Sequence, residues 1–432
     1  MKIAIFTPTH AKSAIGRVTS LVRGALQSAG HDVPLVSTQV RPLKAGDVNP
    51  DLIDSVLWTD ENAVRQIVSE SDLVLHQIGD HYEFHAGSVH WLPLVGGCIA
   101  LHDFFLGDMF LSWIRGHENE AETVLRRWYG LSLEEYIAFA QSGRFVDLTW
   151  PEYPLTEWLS SYADGIIVHS EFGLAAVDRS TNAPSIVVPL PYDLEDAPEE
   201  IAPNGFGDGS SRALRILTFG RINPNKLSDD VILAIASDQR LRERVEYRIC
   251  GTIQHSEREY LVSLARSLGV NLDVTGEITQ AQLVQELQFA DLIVCARNPT
   301  LESASASAVE AMLSGTPLIV LDQGFYSSLP SECVFHVSPF DIHGGMKRTL
   351  QSILGGKRDL DAMGFAAREY ATSTFRADTY ASELVELGIE AARRRPLREL
   401  DSAFVALRQD GIGDVAPVSR EIYDRDTLIF RP

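Results

Sequence analysis

Two glutamates flank a stretch of small residues in the segment "NPTLESASASAVEAMLSGTPLIV". Seven residues separate Glu302 from Glu310, and six of them are Ser or Ala. Because a strand-like run precedes the segment, a helix capped by Ser303 or Ser305 would begin at the carboxyl end of a parallel strand. Free N–H groups and the helix dipole favour an anion at that place. The spacing therefore suits a ligand with hydroxyl groups on both sides of a diphosphate, such as a nucleotide sugar.

A second element, "LTFGRINPNK", supplies two cations at another strand end. It puts Gly220 and Arg221 directly after a predicted strand, with Lys226 five residues after Arg221. Fixed cations there can neutralise a diphosphate leaving group. Each element alone is common in proteins, as a solvated glutamate pair or as a basic loop. Their presence in one chain favours a site for a nucleotide diphosphate.

Short hydrophobic runs alternate with helix-like segments along both halves of the chain. Nearly continuous apolar runs are typical of parallel strands that are buried on both faces. The pattern predicts an α/β fold of two Rossmann-like, doubly wound domains that face each other across a cleft, with ligands at the carboxyl ends of the strands. The runs are "KIAIFTP", "HDVPLVS", "DLVLHQI", "GCIALHD", "GIIVHS" and "SIVVPL" in the first half, and "LRILTFG", "EYRICG", "NLDVTG", "LIVCA", "PLIVL" and "CVFHV" in the second.

A segment rich in Pro, Gly and acidic residues, "PYDLEDAPEEIAPNGFGDGSSR", separates the halves and predicts a linker. Loops around residues 104–150 and 253–260 are expected to select the sugar and the acceptor. The predicted parts are an acceptor-side N-terminal domain (1–192), a linker (193–212), a nucleotide-sugar-binding C-terminal domain (213–374), and a C-terminal helix and tail (375–432) that pack back on the N-terminal domain.

The charge of the chain excludes several classes of partner. Its net charge is -22, and residues 1–200 carry 12 Lys and Arg against 28 Asp and Glu, a net charge of -16. Nucleic acids and anionic lipid surfaces need clustered cations, so neither is an expected partner. No apolar run approaches the roughly 18 residues of a membrane span. Four scattered cysteines predict buried, reduced thiols and hence a cytoplasmic protein.

The combined motifs resemble those of the retaining glycosyltransferases of family 4, which have the two-domain GT-B fold. That family has E-x7-E after a strand, preceded by a G-R…K loop, and this chain has both in the same order. "RNPTLESASASAVEAMLSGTPLIVLDQGFYSSLP" is similar to a bacterial branch with R-x-P-T before the first glutamate. Further matching segments extend the resemblance to about residue 390. They are "SAIGRVTSLVRGALQSAGHDV", "IALHDFFLGDMF" and "YPLTEWLSSYADGIIVHSEFG".

The resemblance implies a role for each matching residue of the second half. Glu302 would face the donor sugar, and Glu310 would face the nucleotide ribose. Arg221 and Lys226, beside Gly220, would hold the diphosphate. The remaining donor-site residues would be Ser305, Ala306 and Ser307, at the start of the helix.

In the first half, the resemblance places His102, in "LHD", beside the transferring sugar. Gly16, in the loop after the first strand, would let that loop approach the diphosphate. A histidine at a strand end is more often structural, and the match to the family's "HD" favours the catalytic role. Candidates for the acceptor side are Asp103, which would orient His102 or contact the acceptor, together with His10 and His85.

The sequence thus predicts a retaining, metal-independent glycosyltransferase of the hexosyltransferase type, with a UDP- or GDP-sugar as donor and no cofactor. The acceptor would be a glycan, a glycoconjugate or a small molecule in bacterial glycan assembly. The first domain is more acidic than is usual for relatives with lipid acceptors, which argues against a lipid acceptor. Two alternatives remain: a nucleotide-sugar epimerase of the same fold, and a non-catalytic nucleotide-sugar-binding subunit of a transferase complex.

Overall fold

The computed structural model describes residues 1–194, 206 and 212–409. Most of the predicted linker and the end of the predicted tail, residues 410–432, lie outside the described residues. The chain divides into two compact units. The first unit comprises Met1–Pro191, the short segment Leu301–Ser303 and the chain from Ala377 onward. The second comprises Tyr192–Thr300 and Ala304–Arg376.

The first unit is built on a seven-stranded sheet in which every neighbouring pair of strands is parallel. Central strands such as Ile3–Thr7 are buried along their whole length, because helices cover both faces of the sheet. The strand order is β3-β2-β1-β4-β5-β6-β7. The strands are β1 (Ile3–Thr7), β2 (Leu35–Ser37), β3 (Val56–Leu57), β4 (Leu73–Ile78), β5 (Cys98–Leu101), β6 (Gly165–Val168) and β7 (Ser185–Val187).

Helices, and not loops, fill most of residues 104–150, so the prediction of a loop there was wrong. An apolar core explains the difference, since Phe110 packs edge-on against both Tyr136 and Trp158. The helices of the first unit up to β7 are α1 (Ala14–Ser28), α2 (Glu61–Ser69), α3 (Tyr82–Val95), α4 (Gly107–Trp113), α5 (Glu118–Tyr129), α6 (Leu133–Gln141), α7 (Phe145–Thr149), α8 (Thr156–Ser160) and α9 (Leu174–Ser180).

The second unit repeats the design with a six-stranded parallel sheet in the order β10-β9-β8-β11-β12-β13. Its strands are β8 (Leu214–Phe219), β9 (Val245–Cys250), β10 (Asn271–Gly276), β11 (Leu292–Val294), β12 (Leu318–Leu321) and β13 (Val334–Val337). Its helices are α10 (Ser228–Ala236), α11 (Gln239–Arg244), α12 (His255–Leu268), α13 (Gln280–Phe289), α14 (Ala306–Leu313), α15 (Ile342–Leu354) and α16 (Leu360–Thr374).

The last described helix, α17 (Ala377–Gln409), belongs to the first unit and packs against α1 and β6. Two glycines allow this close packing. A Cβ atom at Gly165 would lie 3.1 Å from Leu387, and one at Gly388 would lie 2.7 Å from Leu73. Among the described residues, no helix is long and apolar enough to cross a bilayer.

The prediction of two α/β domains built on parallel sheets is confirmed, and each of the twelve predicted runs contains a strand. The sequence pattern missed only β3 among the strands of the described residues, because two residues are too short to show a period. The four cysteines are buried and free, as predicted.

Candidate active site

Both sheets have a point where the strand order reverses. In the first sheet the chain proceeds outward from β1 to β3 on one side and from β4 to β7 on the other, and in the second sheet β8 and β11 play the same parts. The connections therefore leave the central pair of strands in opposite directions and open a crevice at their carboxyl ends. The predicted site residues follow these central strands and their neighbours.

At the end of β8, Gly220 brings a lysine and a serine together. Its φ of +97° is a backbone conformation that favours glycine. A Cβ atom there would lie 3.3 Å from Lys226 Nζ and 3.4 Å from Ser307 Oγ, so both polar groups surround the same point. Lys226 is only 5% exposed, and its Nζ donates a hydrogen bond of 2.6 Å to the Phe219 carbonyl.

The loop that carries Lys226 is tied to the loop after β11. Asn225 Nδ2 donates to the Pro299 carbonyl at 2.8 Å, and Asn298 N donates to the Asn225 carbonyl at 3.0 Å. These bonds hold the cation-bearing turn against the segment that leads into α14. Arg221, in contrast, is exposed at the start of the same loop.

Helix α14 begins beside this lysine. Ser305 is its N-cap, with extended backbone angles and an Oγ that accepts a hydrogen bond from Ala308 N at 3.4 Å. Ala306 and Ser307 are the first two residues of the helix, where backbone N–H groups have no intrahelical partner. Helix α14 thus presents free donors and the positive end of its dipole near Lys226 Nζ. Glu310 lies on the same helix and is 8% exposed.

Glu302 belongs to the three-residue segment that groups with the first unit. Residues 102–104 and 301–303 run antiparallel to each other, with a single β-bridge between Asp103 and Glu302. Ser303 N donates to the His102 carbonyl at 2.8 Å, and Phe104 N donates to the Leu301 carbonyl at 2.8 Å. The backbone of Glu302 is therefore fixed next to the predicted catalytic histidine.

Ser303 adds a connection to β6 that the sequence did not suggest. Its Oγ accepts a hydrogen bond from His169 N at 2.7 Å, and its carbonyl accepts one from Ser170 Oγ at 2.6 Å. Ser303 and His169 are both almost fully buried. The motif "IIVHS" after β6, two polar residues after an apolar run, was the available signal.

His102 lies at the carboxyl end of β5 and is 8% exposed. Its Nε2 lies 2.6 Å from Gln77 Oε1, and its ring centroid lies 4.8 Å from that of His169. Burial, followed by the nearby His169 and His85, holds the pKa of His102 well below 6.5. The imidazole is therefore neutral near pH 7 and can only exchange hydrogen bonds with a ligand.

His85 and Asp103 converge on Gly79, at the end of β4. A Cβ atom at Gly79 would lie 3.0 Å from His85 Nε2 and 3.1 Å from Asp103 Oδ2. Burial lowers the pKa of His85 to about 4. Asp103 Oδ2 also accepts a hydrogen bond of 2.9 Å from the backbone N–H of Asp80, and burial raises the pKa of Asp80 well above 3.8. Burial thus disfavours the charged forms of His85 and Asp80 at this sheet edge.

The prediction that Gly16 lies in a loop was wrong, because it is the third residue of α1. Ser13 caps that helix and accepts a hydrogen bond from Gly16 N at 3.1 Å. A Cβ atom at Gly16 would lie 2.9 Å from the Pro8 carbonyl oxygen, so close packing already explains the glycine. His10 is half-buried, and its ring lies edge-on to Phe84 with 6.2 Å between centroids.

Within the described part of the chain, no group of three or more His, Cys, Asp or Glu side chains is arranged to hold a metal ion. The structure brings together Gly220, Lys226, Ser305, Ala306 and Ser307 in the second unit, with Glu310 on the same helix. In the first unit it brings together His85, His102, Asp103 and Glu302.

Comparison with known proteins finds one family model that matches part of the second half of the chain. Residues 210–369, the larger part of the second unit, match the family described as "Glycosyl transferases group 1". No curated protein matches the chain in sequence. This match supports a glycosyltransferase.

Solved structures match the chain over most of its length. Sucrose-phosphate synthase from Thermosynechococcus elongatus is 15% identical with a TM-score of 0.58, over 93% of this chain and 100% of that one. A glycosyltransferase from Rickettsia africae is 14% identical with a TM-score of 0.61, over 90% and 98%. The Anabaena protein HepE, in complex with UDP and glucose, is 14% identical with a TM-score of 0.56, over 89% and 98%. At these identities the likeness shows the shared GT-B fold alone.

Proposed function

We propose that the protein is a retaining, metal-independent glycosyltransferase of family 4 that moves a sugar from a UDP- or GDP-sugar to an acceptor hydroxyl. The observation that carries the proposal is the convergence of Lys226 Nζ and Ser307 Oγ on Gly220, at the N-terminus of α14. A buried ammonium group beside free helix N–H groups suits a diphosphate better than it suits any neutral ligand.

In this mechanism the charge of the leaving diphosphate grows as the bond to the sugar breaks. Lys226, Arg221 and the N-terminus of α14 stabilise that charge without a bound cation. Glu310, on the same helix, accepts hydrogen bonds from the ribose hydroxyls. Glu302 contacts the donor sugar.

The first unit contacts the uncharged sugar and the acceptor hydroxyl. His102 is neutral and exchanges a hydrogen bond with the transferring sugar, while the departing diphosphate removes the proton of the acceptor hydroxyl. Attack then occurs on the face that the diphosphate leaves, so the anomeric configuration is retained. Positioning and electrostatic stabilisation supply the rate enhancement.

The structural neighbour HepE, whose structures include complexes with UDP and with UDP-glucose, supports testing UDP-sugars first. The proposed setting is glycan or glycoconjugate assembly in a bacterial cytoplasm. The acceptor is a glycan, a glycoconjugate or a small molecule.

A donor screen tests the proposal in two steps. Thermal stabilisation by UDP, GDP and their sugars identifies the nucleotide, because a ligand that binds only the folded state raises the unfolding temperature. Donors labelled at the anomeric carbon are then incubated with water or candidate acceptors. A product of the same anomeric configuration is expected from the wild type, and it should form far more slowly in Lys226→Ala.

Other products would contradict the proposal in distinct ways. A product of inverted configuration would exclude the retaining mechanism. An epimerised donor would indicate the epimerase alternative. Binding of donors without turnover, in every acceptor mixture, would indicate the non-catalytic subunit.

A further inference from the structure

Gln77 contacts two histidines of the first unit at once. It is the fifth of the six residues of β4 and is fully buried. Its side-chain Oε1 lies 2.6 Å from His102 Nε2, and its backbone carbonyl lies 2.9 Å from His85 Nδ1. A single residue therefore orients both rings at this sheet edge.

The contact with Oε1 determines which nitrogen of His102 carries the proton. A neutral imidazole has one N–H and one lone pair, and a carbonyl oxygen can only accept. With Gln77 Oε1 against the ring, His102 Nε2 carries the hydrogen and Nδ1 keeps the lone pair. The His102 ring makes no other hydrogen bond among the described residues, and the residue keeps 8% of its surface exposed.

Gln77 lowers the stability of the fold, which indicates that it has another role. Its Nε2 is buried without a hydrogen-bond partner among the described residues. A buried, unsatisfied donor destabilises a protein, and a leucine would avoid that penalty at nearly the same volume. Residues that weaken the fold in this way are expected at functional sites.

We propose that Gln77 is a positioning residue for glycosyl transfer, which holds His102 in the Nε2–H tautomer so that Nδ1 accepts a hydrogen bond from a hydroxyl group of the donor sugar. The proposal rests on the proposed function for its catalytic part. It assigns to His102 Nδ1 a ligand that donates a hydrogen bond from a hydroxyl group. It also predicts that, with a deoxy sugar donor that lacks this hydroxyl, Gln77→Leu no longer lowers kcat relative to the wild type.

The first test measures the tautomer directly and needs no substrate. Nitrogen chemical shifts of the His102 ring, in protein labelled with 15N-histidine, should show a protonated Nε2 and a bare Nδ1 in the wild type. Gln77→Leu should shift the ring toward a mixture of tautomers. The matched control is Leu75→Ala, on the same face of β4, which removes buried side-chain volume without touching His102. A wild-type ring protonated at Nδ1, or a tautomer unchanged in Gln77→Leu, would overturn the proposal.

The second test measures turnover. Gln77→Leu should lower kcat about tenfold, the value of one lost hydrogen bond in the transition state, with nucleotide affinity unchanged. Leu75→Ala should keep kcat within about twofold at temperatures where it is folded. A full kcat in Gln77→Leu would contradict the positioning role even if the tautomer had changed.

Gln77→Glu supplies a readout that a structural role would not move. Its carboxylate still accepts from Nε2–H, so activity should be rescued at alkaline pH. The added charge raises the pKa of His102 against the opposing effect of His85 and His169, so a second proton occupies Nδ1 as the pH falls. Activity of Gln77→Glu should therefore fall with decreasing pH over a range in which wild-type activity is constant. The same pH dependence in both proteins would overturn the proposal.

If no donor is turned over by any variant, the proposed function fails, and the chemical shifts still decide whether Gln77 sets the tautomer.

Discussion

The two sheets share the same strand order, apart from one additional strand in the first. The side chains at their carboxyl ends differ in charge. The edge of the first unit carries buried histidines and the half-buried Asp80, and desolvation shifts the pKa of each of these groups toward its uncharged form. The edge of the second unit carries Lys226 beside the N-terminus of α14. One topology can therefore serve either a neutral ligand or an anionic one, and the side chains at the strand ends decide which.

The distribution of histidines makes the contrast sharper. Nine of the twelve lie in the first unit, and four of these are buried: His76, His85, His102 and His169. The three in the second unit are exposed or half-buried. The second unit therefore lacks the buried imidazoles that make the stability of the first unit depend on pH.

The largest expected effect follows from this difference, and it is the loss of the first unit in mild acid. Burial lowers the pKa of His76 to about 3, and the pKa values of His85 and His169 to about 4. A histidine whose folded pKa is depressed stabilises the fold fully above its unfolded value of 6.5, and that stability is lost as the pH falls from 6.5 toward 4. At pH 5 the loss approaches 2 kcal/mol for each such histidine, a large share of the 5–15 kcal/mol of a typical domain.

Asp80 opposes the loss, because its raised pKa favours the protonated, folded form as the pH falls. We expect the three histidines to outweigh it. All six tryptophans lie between residues 58 and 158, so their fluorescence follows the first unit alone. Hydrogen exchange of peptides from 213–300 and 304–374 follows the second unit.

His76→Gln is the matched control for the acid experiment, since His76 is buried in β4 away from the proposed ligands. Removing this one imidazole should reduce the slope of unfolding free energy against pH, by an amount that corresponds to at most one proton taken up on unfolding. If both units lose stability equally between pH 6.5 and pH 5, the contrast between them is wrong.

The next largest effect is expected from Lys226→Ala, which removes the buried cation of the second unit. Transition-state charge is stabilised best by fixed groups in a site shielded from water, so kcat should fall about 100- to 1000-fold. The measurement is kcat at saturating donor. Lys347→Ala is the control, because it removes an ammonium group that is bonded to the Ser237 carbonyl elsewhere in the unit.

Arg221 is exposed, so Arg221→Ala should lower kcat less, by about tenfold. A larger loss from Arg221→Ala than from Lys226→Ala would reverse the assignment.

Glu310→Ala should have a smaller effect, and on a different constant. Ribose hydrogen bonds exist in both the ground state and the transition state, so their loss raises the donor KM and leaves kcat nearly unchanged. Hydrogen bonds to a charged group contribute about 1.5–3 kcal/mol, which corresponds to roughly a 10- to 100-fold rise in KM. Glu310→Gln keeps the volume and one acceptor, and it should recover part of the affinity. A variant with the wild-type KM would remove the ribose role from Glu310.

The sequence was most informative where one local pattern sufficed. Twelve strands were predicted because strands buried on both faces read as continuous apolar runs. The sequence predicts either Ser303 or Ser305 as the helix cap, and Ser305 is the cap in the structure, because N-caps follow a local rule. The cap by Ser13 follows the same rule and places Gly16 inside the helix, where a loop is predicted from the sequence.

Tertiary pairing could not be predicted in this way. The contact between Asp103 and Glu302 joins residues that are almost 200 positions apart, and no local pattern encodes their register. Gln77 does carry a sequence signal, because "DLVLHQI" places His76 and Gln77 in a largely apolar run. A polar side chain in a strand buried on both faces must find a partner or leave a group unsatisfied, so it signals a site even without alignment.

The smallest expected effect is that of a chelator, and it tests the charge chemistry of the second unit. Lys226, Arg221 and the N-terminus of α14 are proposed to balance the diphosphate, so EDTA should change kcat by less than about twofold. The same assay in Lys226→Ala sharpens the comparison, because a divalent cation could then replace part of the missing charge. We expect added Mg²⁺ or Mn²⁺ to raise the activity of Lys226→Ala by a larger factor than that of the wild type. Complete loss of wild-type activity in EDTA, restored by Mn²⁺, would show that the protein's cations do not suffice and would contradict the metal-independent mechanism.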